Sequence, residues 1–306
     1  MNWYFWIGFP VFVLCMLYLD LKVLHKKPSE RTLRSISYAC LFWFSLAILF
    51  ALGIWYFLGS VSAVTFMTAY LLEGSLSVDN LFVFLLVFSF CQIPPKDQHR
   101  ILCLGVLGAL IFRLAFICLG ISLLQRFEWM YFVFGGILCI SALAFLRQKD
   151  EEQDLSNSWL FSLAQKMFRL DMQEHKGKFW IRKEGKLYAT RLFLALFLIE
   201  SFDLVFAVDS VPAVLAVTSD IFLAYTSNVF AVLGLRSLYF LLMHLKSRFA
   251  HLKNGIALIL FFVGIKLVLV PFFHIPSWVT FLWIAGALAV SILWSFTCKN
   301  TKTPLE

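Results

Sequence analysis

Charge is what this 306-residue sequence has least of. Asp, Glu, Lys and Arg together make 14% of it, against 61% hydrophobic and 18% aromatic residues and a mean hydropathy of +0.85. A soluble domain needs more polar surface than that, so the composition excludes one and points to a polytopic membrane protein. Cysteine is present seven times but never as a CxxC pair, which excludes a zinc ribbon and gives no disulfide framework. There is no glycine-rich phosphate loop, no HExxH and no nucleophile triad pattern. The chain is therefore expected not to be an enzyme, to hold no tightly bound cofactor, and to draw on no nucleotide of its own. No Lys or Arg precedes the first apolar run, "MNWYFWIGFP", so that run reads as a retained helix and not as a cleaved signal.

What is present is a series of long apolar runs. Those of about 18 residues or more fall at 3–21, 36–58, 64–90, 101–124, 129–146, 192–217, 221–243, 254–273 and 278–297. The expected fold is all-α, with about nine transmembrane helices. Alternating the loops between the two sides places 22 of the 26 Lys and Arg on one side and only Arg126 on the other. By the positive-inside rule, the N-terminus is outside and the C-terminus cytoplasmic, in a cell inner membrane. The net charge of +8 is mostly this topogenic signal, so a nucleic-acid partner is not expected.

Against that background, eight charges stand out inside the spans: Glu73, Asp79, Glu200, Asp203 and Asp209, with Arg113, Arg236 and Lys266. Each costs at least a few kcal/mol at mid-bilayer on insertion scales, so each needs a partner or a task. Arg113, Arg236 and Lys266 are read as structural counter-ions. Five acids against three bases leave formal negative charge that a divalent cation would balance, as would protonation of two of the carboxylates.

The polar positions repeat. Aligning Asp79 in "LLEGSLSVDNLFVFLLVF" with Asp209 in "ESFDLVFAVDSVPAVLAV" brings Glu73 onto Asp203 and Asn80 onto Ser210. An arginine-bearing span follows in each half ("VLGALIFRLAF", "VLGLRSLYF"), then a span carrying Gly135 and Gly136 or Gly264. With two spans between the two acidic ones, the first acidic span runs outside to inside and the second inside to outside, so the halves are inverted, a pattern associated with transporters. The expected division is two N-terminal helices in 1–60, a first three-helix repeat in 61–147, a cytoplasmic linker in 148–191, an inverted repeat in 192–273, and a last helix and tail in 274–306. Within the linker, Trp159, Leu163, Met167 and Leu170 share the face of an amphipathic helix expected to lie on the membrane surface.

On one straight helix, Glu200 and Asp203 share a face, whereas a six-residue separation turns Asp209 by about 240° and raises it about 9 Å. Pro212 cannot donate to the carbonyl of Val208, which suggests a kink or an unwound turn beside Asp209. The oxygen groups Glu73, Asp79, Asn80, Glu200, Asp203, Asp209 and Ser210 are the expected metal-binding set, of a kind suited to hard cations. Asn228 reads as a packing residue.

The strings "LLEGSLSVDNLFVF", "LIESFDLVFAVDSVPAVLAVTSD", "YTSNVFAVLGLRSLYFLL" and "GKFWIRKEGKLYAT" resemble, in order and over roughly 65–272, the TerC family of integral membrane proteins, named for tellurium resistance. The sequence departs from that pattern at Arg191, where proline is expected, and at Ala144, where a lysine matching Lys266 is expected. The resemblance implies a multi-pass protein related to the LysE transporter superfamily, with members tied to manganese export and metal homeostasis. The functional expectation is an exporter of a divalent cation, manganese by that resemblance, with the bilayer and the ion as its partners. An exporter of an amino acid or other organic solute, or a non-transporting scaffold in metal or tellurite stress, is the alternative.

Overall fold

The computed structural model describes residues 8, 9, 12, 13, 16, 33–147, 159–173, 175, 177–183, 185–245, 252–273 and 275–297. Among them are nine helices: α1 (Leu33–Leu58), α2 (Ser60–Phe90), α3 (Pro95–Arg126), α4 (Met130–Arg147), α5 (Trp159–Met167), α6 (Arg191–Leu215), α7 (Ile221–Leu245), α8 (Leu252–Leu269) and α9 (Ser277–Thr297). Eight of the nine expected spans correspond to helices. Most of the first expected span, 3–21, lies outside the described residues, but Phe9 is buried against Phe50, Phe222 and Phe230, at ring-centroid distances of 5.8–6.3 Å. Four helices, α1, α2, α3 and the stretch Ile221–Met243 of α7, are long and apolar enough to cross a membrane by length and composition alone. The protein is an all-α polytopic membrane protein.

The helices start and stop where chain chemistry dictates. Pro95 occupies the first turn of α3, where its missing N–H costs nothing. Gly59 separates α1 from α2 with φ of 87°, a left-handed conformation that a side chain would resist. α6 continues as α-helix through Pro212 to Leu215, so the turn beside Asp209 is not unwound. Pro212 stands in the last turn of α6, and its own carbonyl accepts from the Ala216 N–H.

Packing follows a rule of exchange. α2 packs on α7 and α3 on α6, α2 also packs on α6, α3 on α7, and α4 on α8. Swapping α2 with α6, α3 with α7 and α4 with α8 leaves this set of neighbours unchanged. The swap-related helices α4 and α8 meet at glycines: a Cβ on Gly135 would stand 2.8 Å from the Gly264 carbonyl oxygen, and one on Gly264 would stand 3.0 Å from that of Gly135. Small residues are what let two membrane helices approach this closely. α1 leaves Leu49, Tyr56 and Phe57 exposed, as a lipid-facing helix would, while α7 is buried along most of its length. Phe132 and Phe272 bring the α3–α4 and α8–α9 turns together, with Trp129, Phe273 and Trp278 exposed nearby in sequence, as in an interfacial aromatic belt.

The linker differs from the sequence expectation. The amphipathic helix stops at Met167, and Leu170 belongs instead to a small sheet of β1 (Leu170–Asp171), β2 (Trp180–Lys183) and β3 (Lys186–Thr190) in the order β1-β3-β2. There Leu170 pairs with Ala189 of β3. α5 buries Leu160 and Ala164 against the protein and leaves Leu163 and Met167 exposed, so the apolar face read from the sequence points away from the core. Phe168, Trp180, Phe193 and Phe197 stack the sheet onto the start of α6. Hydrogen bonds from Lys183 and from the Gln173 N–H hold the Asp171 carboxyl down at about 2, so these contacts weaken only as the pH falls through that value.

The α4–α8 crossing gives a test. Gly264→Val should overpack it at a cost of about 1–3 kcal/mol, lowering the unfolding midpoint of the detergent-purified protein. Gly136→Val, where a Cβ meets nothing within 4 Å, should leave the midpoint near that of the wild type.

Candidate functional site

The site is built on four helices that alternate between the halves. Arg113 on α3 is wholly buried, and its guanidinium reaches two carboxylates on two other helices. One terminal nitrogen donates to Glu73 Oε2 of α2 at 2.5 Å. The other donates to Asp203 Oδ1 of α6 at 3.2 Å, and Nε donates to Asp203 Oδ2 at 3.4 Å. Glu73 and Asp203 are one of the two acid pairs that the sequence repeat aligns, so one arginine spans equivalent positions of both halves. The Asn228 side chain of α7, fully buried, comes beside Glu73 without a well-formed hydrogen bond. A cavity of about 20 Å³, room for about one water, lies next to this group with Asp203 and Arg236 among its walls.

The three acids of α6 diverge as the helical spacing requires. Glu200 and Asp203 both face α3, Glu200 lying against Gly108, where a Cβ would come within 2.2 Å of its Oε1. Glycine at 108 therefore makes the seat for this carboxylate. Asp209 turns instead to α4, where the Ser141 hydroxyl donates to its Oδ1 at 2.6 Å. Asn80 and Ser210 are both buried, and among the described residues Asn80 Nδ2 and Ser210 Oγ have no hydrogen-bond partner; nor do Glu73 Oε1, Glu200 Oε2 and Ser77 Oγ. Such orphans are scarce in folded proteins, and each calls for a water, an ion or a second conformation. The backbone of Asp79 lies in α2, while its side chain is outside the described residues.

The structure thus brings Glu73, Asp203 and Arg113 together, with Glu200 one turn away on the same helix pair, and sends Asp209 elsewhere. Among the described residues no three His, Cys, Asp or Glu side chains gather as a ready-made metal cage. The basic residues also divide. Arg113 serves two carboxylates, whereas Arg236 contacts His99 and Cys103 of α3. Lys266 is buried on α8 and forms no ion pair among the described residues. The offset of Arg236 is visible in the sequence: Arg113 stands five residues after Gly108, Arg236 two after Gly234, about one helical turn apart. Sequence reading missed Ser141, an isolated hydroxyl in an apolar span, and placed Asn228 with packing residues, because neither repeats in the other half.

The sequence model described as "Integral membrane protein TerC family" matches residues 58–303. The chain belongs to the TerC family. That match covers every residue of the cluster. Among curated TerC-like relatives, "Uncharacterized membrane protein STKORF319" of Myxococcus xanthus is 40% identical over 288 residues, covering 94% of this chain and 90% of its own length. An "Uncharacterized membrane protein" of Rickettsia bellii is 37% identical over 295 residues, covering 96% and 98%. The "Putative membrane-bound redox modulator Alx" of Escherichia coli K12 is 38% identical over 297 residues, covering 94% and 92%. No solved structure matches the chain significantly.

The Arg113 cluster predicts a large effect from one substitution. Arg113→Met removes the common partner of two buried carboxylates, and breaking a buried pair typically costs about 3–5 kcal/mol. Folded protein, read as the monodisperse fraction in detergent, should fall severely, while Arg126→Met at the exposed end of α3 should leave it unchanged.

Proposed function

We infer that this TerC-family protein exports a divalent cation across the cell membrane as a secondary transporter, with manganese the first candidate. The observation that carries this reading is the pair of repeat-aligned carboxylates, Glu73 and Asp203, held on one buried guanidinium, with one carboxylate oxygen each of Glu73 and Glu200 left without a partner among the described residues. With all groups ionised, Glu73, Asp203 and Arg113 carry a net charge of −1, and Glu200 adds a further negative charge close by. That is an environment in which a cation gains more than any neutral solute. Asp79 and Asp209, flanked by Asn80 and Ser210, supply a second repeat-aligned pair along the same two helices.

Arg113 is the resident counter-charge of this path. A divalent ion arriving at Glu73 and Asp203 exchanges places with guanidinium contacts, so the acids remain compensated whether the site is loaded or empty. Two halves related by exchange give the inside and the outside equivalent routes to that layer, which is what rocking of one repeat against the other requires. Oxygen donors of this kind suit hard cations generally, and the preference for manganese rests on the family resemblance. In this reading the N-terminus faces outside and the C-terminus the cytoplasm.

Protein in liposomes should therefore move manganese with no nucleotide added, in competition with magnesium or calcium. An Asp79→Asn, Asp209→Asn double variant of normal abundance should lose that flux. Flux of lysine without metal would assign the chain to organic-solute export, and a folded protein that moves neither would be a scaffold.

A further inference from the structure

A second polar cluster lies away from the acids, near the start of α3. Cys103 Sγ accepts from a terminal nitrogen of Arg236 on α7 at 3.0 Å and stands 3.6 Å from Nδ1 of His99, one turn earlier on its own helix. The other terminal nitrogen of Arg236 is 2.9 Å from His99 Nε2. One guanidinium thus grips both the thiol and the ring. Gln98 and Tyr239 brace the same two helices, the Tyr239 hydroxyl donating to Gln98 Oε1 at 3.0 Å and Gln98 Nε2 donating to the Ile93 carbonyl at 2.9 Å. Arg236 is buried, while His99 and Cys103 are half-buried.

Proton placement follows from donor chemistry. A guanidinium only donates, so the His99 Nε2 facing it must accept. An imidazole that accepts at Nε2 and is neutral carries its proton on Nδ1, which is the nitrogen turned toward Cys103. Two N–H groups from two side chains therefore converge on Sγ. A thiol proton would find no acceptor in either, whereas a thiolate is served by both, with a full positive charge at 3.0 Å. Cys118 and Cys139 are built differently: Gly264 of α8 is the neighbour of Cys139, and no side-chain hydrogen bond reaches either thiol among the described residues.

We propose that Cys103, set by Arg236 and His99, is a nucleophilic thiolate that takes small electrophiles, hydroperoxides first among them, and is a site of reversible oxidation on this protein. In that step Sγ attacks one oxygen of hydrogen peroxide. The S–O bond forms as the O–O bond breaks, the attacked oxygen stays with its proton as a sulfenic acid, and the other leaves as hydroxide. Sulfur gives up two electrons and the peroxide gains them. Oxidation takes the negative charge from beside Arg236 and so weakens the tie between α3 and α7. None of this depends on cation transport.

The test uses the full chain purified in detergent. Iodoacetamide at neutral pH, followed by peptide mass spectrometry, should alkylate Cys103 at least tenfold faster than Cys118 and Cys139, which are similarly half-buried. Dilute hydrogen peroxide with a 1,3-dicarbonyl trap should label Cys103 before the others. His99→Gln and Arg236→Gln should each slow alkylation of Cys103 about tenfold and leave Cys139 unchanged. His99→Gln serves where Arg236→Gln does not fold. Alkylation of Cys103 no faster than Cys118, or rates unmoved in a folded His99→Gln protein, would overturn the proposal, as would peroxide labelling that spares Cys103.

Discussion

A guanidinium cannot be left alone inside a bilayer, and Arg113 is wholly buried there. The cost of stranding a charge in that setting is several kcal/mol even after relaxation, comparable with the whole stability of many domains. Its two partners come from two different helices, so the charge requirement becomes a geometric one: α2, α3 and α6 must meet at Glu73, Arg113 and Asp203. The rest of the bundle is arranged so that they can. Glycine at 108 keeps α3 clear for the neighbouring Glu200, and α7 closes the group with Asn228 beside Glu73. The two aligned carboxylates share one partner, so neither half is electrostatically complete without the other.

The two halves are also joined where no charge is involved. At the α4–α8 crossing each helix presents a glycine to the other's backbone, and any side chain there forces the helices apart. One contact is long-range, directional and polar; the other is short-range and steric. Together they fix the register of the repeats while leaving the six-residue spacing of α6 to send Asp203 and Asp209 to different neighbours, α3 and α4. The acids are thus spread along the helices and do not converge on a single point.

Much of this was legible in the sequence, for reasons that are themselves physical. A charge in an apolar span is so costly that its presence is information, which is why Glu73, Asp203 and Arg113 stand out without coordinates. The separation of three between Glu200 and Asp203 was enough to put them on one face, and both do turn to α3. Other features were not legible. Hydropathy cannot say which partners an arginine chooses, and the contacts of Arg236 with His99 and Cys103 could not be read from it. The effect of Pro212 depends on its position in the helix, and in the last turn of α6 it breaks nothing. The small sheet after α5 is built from short, charged strands with weak alternation, and only the aromatic stack on Phe193 and Phe197 gives them a place to fold.

The central claim is that Glu73 and Asp203 are bound to each other through one guanidinium, and a double-mutant cycle in detergent measures that most directly. Glu73→Gln and Asp203→Asn alone should each change unfolding free energy modestly, because the remaining carboxylate still compensates Arg113. The double variant leaves a lone buried cation and should lose at least about 1 kcal/mol more than the sum of the single effects, a coupling in the range seen for residues within one ion-pair network. Single effects that add to within about 0.5 kcal/mol, as independent sites do, would contradict the account.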